Sequence, residues 1–175
     1  MSNIDTIAYG KAGRMYTASN VSAKIITVVG TPMTGLILYN PVGSGHYLSL
    51  MSGGFTLTTA LASIQSIALA IAPSTPTVPS SLTVGSAVVK SATGAAGNSV
   101  ALAYDTATLG VAPVAARWFA GLNWITGGAG QAPYLFETKI DGELGLMPGA
   151  AVAFAMIGGT GATGMGSISF IETDL

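Results

Sequence analysis

The sequence is short of charged residues. Only 7% of its 175 residues are Asp, Glu, Lys or Arg, whereas about a quarter is usual in a soluble domain, and residues 25–89 contain none at all. A freely exposed surface needs interspersed charges to keep a protein dispersed in water. The deficit therefore predicts that much of the outer surface is covered, either by lipid or by other protein subunits.

A membrane-spanning helix is the first explanation to test, because the mean hydropathy is high, at +0.61. A spanning helix needs about 20 mostly apolar residues, and the most apolar window, residues 55–72, is interrupted by six Ser, Thr and Gln residues. The first residues also lack the charged-then-apolar layout of a signal peptide. We therefore expect no membrane partner and a surface that is covered by subunit contact.

Cysteine is absent, and histidine occurs once, at His46. The chain therefore has no disulfide or thiolate chemistry, and one imidazole cannot build a multi-histidine metal site. The basic residues are scattered except for Lys11, Arg14 and Lys24, which we interpret as a solvated end of the chain, with a partner contact as the alternative. Because phosphate binding needs clustered Lys and Arg, we expect no nucleic-acid partner.

Large apolar residues alternate with alanine in residues 67–72 and again in residues 151–156. In a strand, this period of two places bulk on one face and methyl groups on the other. Neither face is polar, whereas a sheet with one face in water alternates apolar and polar residues. We therefore predict strands that are covered on both faces. A helix is the alternative, because alanine is a strong helix former.

Further strands are predicted at residues 22–29, 35–39, 46–51, 81–89, 99–104, 135–140 and 166–171. The turn residues 40–45 predict a hairpin between the strands that flank them. The Gly-rich residues 158–166 are interpreted as a second hairpin tip, and Asp141-Gly142 as a tight turn. Residues 73–79, with three prolines, predict an extended surface connection.

Many short strands joined by Gly-rich turns are typical of a sandwich or a barrel. We predict an all-β fold, an antiparallel β-sandwich of about eight strands with jelly-roll-like connections. One domain is expected over residues 1–175, with a short, extended N-terminal segment at about residues 1–20.

Several short motifs then follow one another in a familiar order. They are the turn sequence of residues 35–45, a Ser-Gly-Gly step at 52–54, Ile-Asp-Gly-Glu at 140–143, Met-Pro-Gly at 147–149 and a last strand ending in Ile171-Glu172. This order resembles small virion proteins of tailed bacteriophages and viral metagenomes over most of the chain from Val29 onward. The finish at residues 170–175 departs from the Trp-Glu-Glu-like ending of those proteins. The resemblance implies a structural β-sandwich of the particle, not an enzyme.

We therefore expect a head decoration or accessory capsid protein that is made in the host cytoplasm and located in the virion. Its partners would be capsid or other virion proteins and further copies of itself, in a homo-oligomer with a trimer as first choice. No cofactor is expected. The alternatives are a major shell or tail component, a receptor- or glycan-binding module at a fibre tip, and a self-assembling filament subunit.

The densest aromatic region is the candidate interface, and it has three interpretations. Aromatic residues and arginine are enriched at the centres of protein contacts, but the same residues could fill the core of one subunit or present Trp faces to a carbohydrate or host receptor. The residues concerned are Arg117, Trp118, Phe119, Trp124 and Tyr134.

Catalysis is not expected. A Ser-His-acid arrangement of His46 with Ser44 or Ser49 is formally possible, but the sequence has no nucleophile elbow on a strand-to-helix turn. Three acidic residues at near-alternate spacing are interpreted as a solvated turn, with a calcium site as the alternative; they are Glu137, Asp141 and Glu143.

Overall fold

The computed structural model contains two β-sheets that share one apolar core. The structure describes residues 3–31, 35–59, 65–73, 89–91, 99–104, 111–122, 135–157 and 162–175. In chain order, the elements of these residues are α1 (Asn3–Lys11), β1 (Met15–Ser19), β2 (Lys24–Ile25), β3 (Thr27–Val28), β4 (Ile37–Tyr39), β5 (His46–Leu57), β6 (Gln65–Ala72), β7 (Val89–Ser91), β8 (Leu102–Tyr104), β9 (Val114–Leu122), β10 (Leu135–Lys139), β11 (Gly145–Leu146), β12 (Ala151–Met156) and β13 (Thr163–Asp174).

The first sheet has the strand order β10-β5-β13-β1-β7, and the second has the order β8-β4-β12-β6-β9. Short strands join at the sides: β11 pairs with β5, β2 with β13 and β3 with β12, the last pair being parallel. The predicted all-β, antiparallel β-sandwich is confirmed. The described residues contain thirteen strands, which is more than the predicted number of about eight; three of them, β2, β3 and β11, have only two residues each. The jelly-roll-like connectivity stays a prediction.

The core lies between the sheets and is built from the large residues of the alternating patterns. On β12 these are Val152, Phe154 and Met156, and they meet side chains of β5 such as Phe55. The rings of Phe55 and Phe154 are 5.1 Å apart in a tilted arrangement, which is a favourable geometry for aromatic pairs. The two sheets are therefore held together by one continuous apolar layer.

The second sheet is also buried on its outer face. All six residues of β12 are buried, and Ala151 and Ala153 belong to a second apolar cluster with Ile37, Tyr39, Ala72 and Tyr104. The prediction that the alanine-alternating strands are covered on both sides is thus confirmed. This burial exists within the single chain, so these strands need no partner subunit to cover them.

The predicted hairpin at residues 40–45 is wrong. Strand β4 pairs with β12 and β8 in the second sheet, while β5 pairs with β13 and β10 in the first. The physical reason lies in the side chains. All of β4 is buried, which suits a sheet with two dry faces, whereas Ser52, Gly54 and Thr56 make one face of β5 half-exposed. The turn carries the chain from one sheet to the other.

The interpretation of residues 158–166 as a hairpin tip is also wrong, because β12 and β13 belong to different sheets. Residues 158–161 themselves lie outside the described residues. The turn predicted at Asp141-Gly142 is confirmed: both residues have positive φ, at 51° and 82°, and their N–H groups donate to the carbonyls of Met51 and Leu50.

Several other predicted strands are found with changed bounds. The one at residues 22–29 is divided into β2 and β3, and β8 is shorter than the range 99–104. The strand at 135–140 corresponds to β10, and the strand at 166–171 is extended in both directions as β13. Residues 81–88 and 74–79, which contain most of another predicted strand and of the proline-rich connection, lie outside the described residues.

The first twenty residues, for which extended chain was expected, contain α1 and β1. Strand β1 lies between β13 and β7 in the first sheet, with the Tyr16 ring stacked on that of Phe170 at 5.6 Å. Among the described residues, no helix has the length and apolar character that crossing a membrane requires.

Candidate functional site

Of the five predicted interface side chains, the structure describes two, those of Arg117 and Trp118. Arg117 and Trp118 are neighbours on β9 and pair with Leu69 and Ala68 of β6, so they lie on opposite faces of the strand. The side chain of Phe119, together with Trp124 and Tyr134, lies outside the described residues. The structure therefore does not show the predicted aromatic centre as a single surface.

Arg117 is instead used within the chain. Its Nη1 forms an ion pair and hydrogen bond with Oε2 of Glu143, which lies between β10 and β11. The contact joins an end strand of the second sheet to the first sheet. Glu143 is one of the three acidic residues considered as calcium ligands. Its carboxylate is already paired with the guanidinium group of Arg117. The described residues contain no group of three or more His, Asp or Glu that could hold a metal ion.

Trp118 keeps an exposed position on β9, which is the last strand in the order of the second sheet. The residue is 47% exposed, and Val114 on the same strand is 67% exposed. The pairing of β9 with β6 shifts register twice. Such irregularities bend an end strand and oppose the pairing of a further strand with it. Trp118 can therefore contact a partner through its exposed side chain, whereas the backbone of β9 is poorly suited to extend the sheet.

The single histidine lies in a polar cluster at one end of the sandwich. His46 Nδ1 is 3.3 Å from Asp174 Oδ1 and 3.6 Å from Glu172 Oε1, in ion-pair range but without hydrogen-bond geometry. Asp174 also binds Arg14 at 3.0 Å. These contacts fasten the start of β5 and the residue before β1 to the end of β13.

Glu172 is the buried member of this cluster, with its side chain only 8% exposed. Its Oε2 accepts hydrogen bonds from the Ser99 hydroxyl at 2.7 Å and the Val100 N–H at 3.1 Å. Burial raises the pKa of the nearby Tyr16 hydroxyl, the charge of Glu172 raises it further, and Arg14 opposes both. The buried carboxylate is therefore satisfied by local donors that order the chain before β8.

A Ser-His-acid triad is not assembled here. The Ser44 hydroxyl donates to Asn40 Oδ1 at 2.7 Å, and the Asn40 amide donates to the carbonyls of His46 and Leu146. Ser44 thus orders the turn between β4 and β5, and Ser99 donates to Glu172 directly. Among the described residues, no serine or threonine hydroxyl is hydrogen-bonded to the His46 ring, which is the contact that characterises a Ser-His-acid triad.

The outer face of the first sheet is a feature that the sequence analysis missed. Register pairs place Gly54, Ser167 and Ser19 in one row across β5, β13 and β1, with Glu137 of β10 at its side. The next row contains Ser52, Ser169 and Thr17, and Met165 pairs with Thr56 on the other side. Short side chains in the middle of the sheet leave a shallow groove.

This groove has a volume of about 390 Å³ and is lined by Ser19, Asn20, Gly54, Phe55, Thr56, Met165, Gly166 and Ser167. Asn20 is anchored to Gly166, because its N–H donates to the Gly166 carbonyl and its Oδ1 accepts from the Gly166 N–H at 2.7 Å. Asn20 is only 9% exposed, and its Nδ2 has no hydrogen-bond partner. In residues 48–57 and 163–170 of the sequence, Ser, Gly and Thr alternate with large apolar residues, and this pattern could have indicated a sheet with one polar face. The groove itself depends on the register between the strands, which the sequence does not reveal.

Comparison of the chain with known protein families, with curated proteins and with solved structures finds no match in any of the three.

Proposed function

We propose that this chain is a structural protein of a virus particle, of the head decoration or accessory capsid type, that binds a preformed shell as a homo-oligomer. The observation that carries the proposal is a charge-poor surface with large exposed apolar side chains. They occur on α1, on four strands and in the segments that follow strands: Ile7 on α1, Ile25 on β2, Leu102 on β8, Val114 and Trp118 on β9, Met165 on β13, and Val21, Val42, Met147, Ile157 and Leu175 outside the helix and strands. Apolar groups on a surface with few charges favour burial against a protein partner.

The scaffold supports an architectural role. Burial on both faces of the second sheet and a shared core between the sheets give a rigid unit, and the His46 cluster ties strand ends together. A trimer would contact several shell subunits at once, and multivalency raises avidity without any single strong contact. Such contacts would depend on apolar burial, because few ion pairs are available.

The first test is the oligomeric state of the purified full chain. Light scattering coupled to size-exclusion chromatography should show a closed oligomer, with a trimer as the expected species, over a dilution series. Trp118→Ala is expected to shift the equilibrium toward smaller species if β9 takes part in the contact, with Leu102→Ala on the opposite end of the same sheet as the matched variant. A single 17.4 kDa species at every concentration would contradict self-association.

The second test is the virion itself. Peptides of this chain should be detected by mass spectrometry in purified particles, at a copy number close to that of the main shell protein. A few copies per particle would favour the fibre-tip alternative, and open polymerisation of the purified chain would favour a filament. Absence from intact particles would overturn the proposal.

A further inference from the structure

The sequence Asn20-Val21-Ser22 matches the Asn-x-Ser/Thr pattern of N-glycosylation, and none of the other four asparagines of the chain has this pattern. We propose that an N-glycan on Asn20 and the native fold exclude each other, so that this motif is not a modification site of the folded protein. This goes beyond the architectural role and does not depend on it.

The motif has the setting of a surface site in the sequence, but its acceptor atom is buried in the structure. The motif follows β1, and its second and third residues are exposed, Val21 by 55%. Asn20 itself is only 9% exposed. In N-glycosylation, one N–H bond of the amide nitrogen Nδ2 is replaced by a bond to C1 of the first sugar, and the lipid diphosphate that carried the sugar leaves. Less than 1 Å² of Nδ2 is accessible, so a sugar bonded to this atom would overlap the surrounding protein.

Two hydrogen bonds to Gly166 hold Asn20 in this position. The Asn20 N–H donates to the Gly166 carbonyl at 3.1 Å, and the Gly166 N–H donates to Asn20 Oδ1 at 2.7 Å. They continue the pairing of β1 with β13 past Ser19 and Ser167. A side chain that turned outward to carry a glycan would leave the Gly166 N–H without this acceptor, which is costly for a buried group. Exchange of the two amide atoms would instead place an N–H against that N–H.

The space next to Asn20 is too small for a sugar ring. A cavity of about 10 Å³ is lined by Asn20 together with core side chains such as Leu36, Phe55 and Phe154, and such a volume holds about one water. The side of β13 is tightly packed, because even a Cβ at Gly166 would lie 2.6 Å from the Phe154 ring. A glycan on Asn20 therefore requires β1 and β13 to separate at this point.

The experiment is expression of the full chain behind a cleavable leader in human secretory cells, where the N-glycosylation machinery meets the nascent chain. Limited proteolysis separates folded from unfolded molecules, and mass spectrometry measures the glycan in each fraction. We expect no glycan on Asn20 in the protease-resistant fraction of the wild type. Ser22→Ala removes the motif at an exposed position and keeps Asn20, and its resistant fraction should unfold at the same temperature as that of the wild type.

Ser22→Ala combined with Val42→Asn is the matched control. The second change creates an Asn-Gly-Ser sequence at residues 42–44, in the turn between β4 and β5, where Val42 is 49% exposed. We expect a glycan at residue 42 in the protease-resistant fraction of this variant, because a glycan on an exposed side chain extends into solvent. The variant thus measures how far folded molecules of this chain are glycosylated when the acceptor is accessible.

The two fractions decide between the outcomes. The proposal is supported by a glycan on Asn20 that is confined to protease-sensitive molecules, or by an Asn20 without glycan while residue 42 is occupied. A glycan on Asn20 in protease-resistant molecules that unfold at the temperature of Ser22→Ala overturns it.

Asn20→Ala tests the hydrogen bonds separately, in protein that is made in bacteria and carries no glycan. Its melting temperature should fall by about 3 °C or more, because the buried Gly166 N–H loses its acceptor. Val21→Ala at the exposed neighbouring position is the control and should stay within about 2 °C of the wild type. An Asn20→Ala chain that melts with the wild type would show that the Asn20 side chain is free to turn outward, which also overturns the proposal.

Discussion

Both sheets carry small residues on their outer faces, yet only one of these faces is dry. On the second sheet the small residues are alanines, such as Ala151 and Ala153, and they are fully buried. On the first sheet they are Ser, Gly and Thr, and Ser52, Gly54 and Thr56 are half-exposed. Because alanine has no group that needs water, its burial costs nothing in hydrogen bonds, whereas a buried hydroxyl must find a partner. The choice of small residue thus separates a face that is packed from one that stays half-exposed.

The largest expected effect comes from adding volume to the dry face. Ala153→Leu or Ala70→Leu should lower the free energy of unfolding by about 1–3 kcal/mol, because the added atoms enter a packed region. Ser52→Leu on the half-exposed face should stay within about 0.5 kcal/mol of the wild type. Urea unfolding of the three variants measures the difference. Equal stability of all three would show that the outer face of the second sheet is not packed.

A smaller effect separates the two faces within the first sheet. A Cβ at Gly166 would lie 2.6 Å from the Phe154 ring in the core. Gly166→Ala should therefore lower the free energy of unfolding by an amount near the lower end of about 1–3 kcal/mol. Gly54 lies on the outer side of the neighbouring strand and does not have positive φ. Gly54→Ala should therefore be neutral or stabilise by up to about 1 kcal/mol. Thermal unfolding of the pair checks this, and a destabilised Gly54→Ala would place that residue against packed atoms.

The sequence predicted the dry face well because alternation of two apolar sizes is a local signal. Strand β12 has the predicted bounds, and β6 differs by two residues at its start. Partner choice is not local, which is why the turn at residues 40–45 was assigned to a hairpin although it connects two sheets. Strand β9 was missed as a strand because its register shifts and its Ala-Ala-Arg-Trp sequence break the alternation.

The candidate site was harder to predict than the fold. The predicted interface residues between positions 117 and 134 lie close together in the sequence. Alternation along β9 nevertheless places two of them, Arg117 and Trp118, on opposite faces of the strand. The groove on the first sheet combines residues from β1, β5 and β13, and β13 lies more than a hundred positions after the other two strands in the sequence. Composition reveals serine and glycine in each strand, but only the register brings them into one row with the free Asn20 amide.

The smallest expected effect concerns two buried tyrosines, one in the core between the sheets and one in the apolar cluster on the outer face of the second sheet. Burial raises the pKa of Tyr16 in the core, with Glu172 adding to the shift, and burial together with Tyr39 raises the pKa of Tyr104 on the outer face of the second sheet. A raised pKa means that the folded state binds the proton more tightly than the unfolded state. Each tyrosine therefore contributes stability that is fully present below the ordinary value of 10.0 and is lost as the pH rises through the folded-state pKa.

Tyr16→Phe and Tyr104→Phe should each make the loss of stability above that pH less steep. Urea unfolding from neutral to alkaline pH measures the slopes, with the wild type as reference. If Tyr104→Phe leaves the slope unchanged while Tyr16→Phe reduces it, the outer face of the second sheet is open enough for water to solvate a phenolate, and the contrast between the two sheets is smaller than the burial of Ala151 and Ala153 indicates.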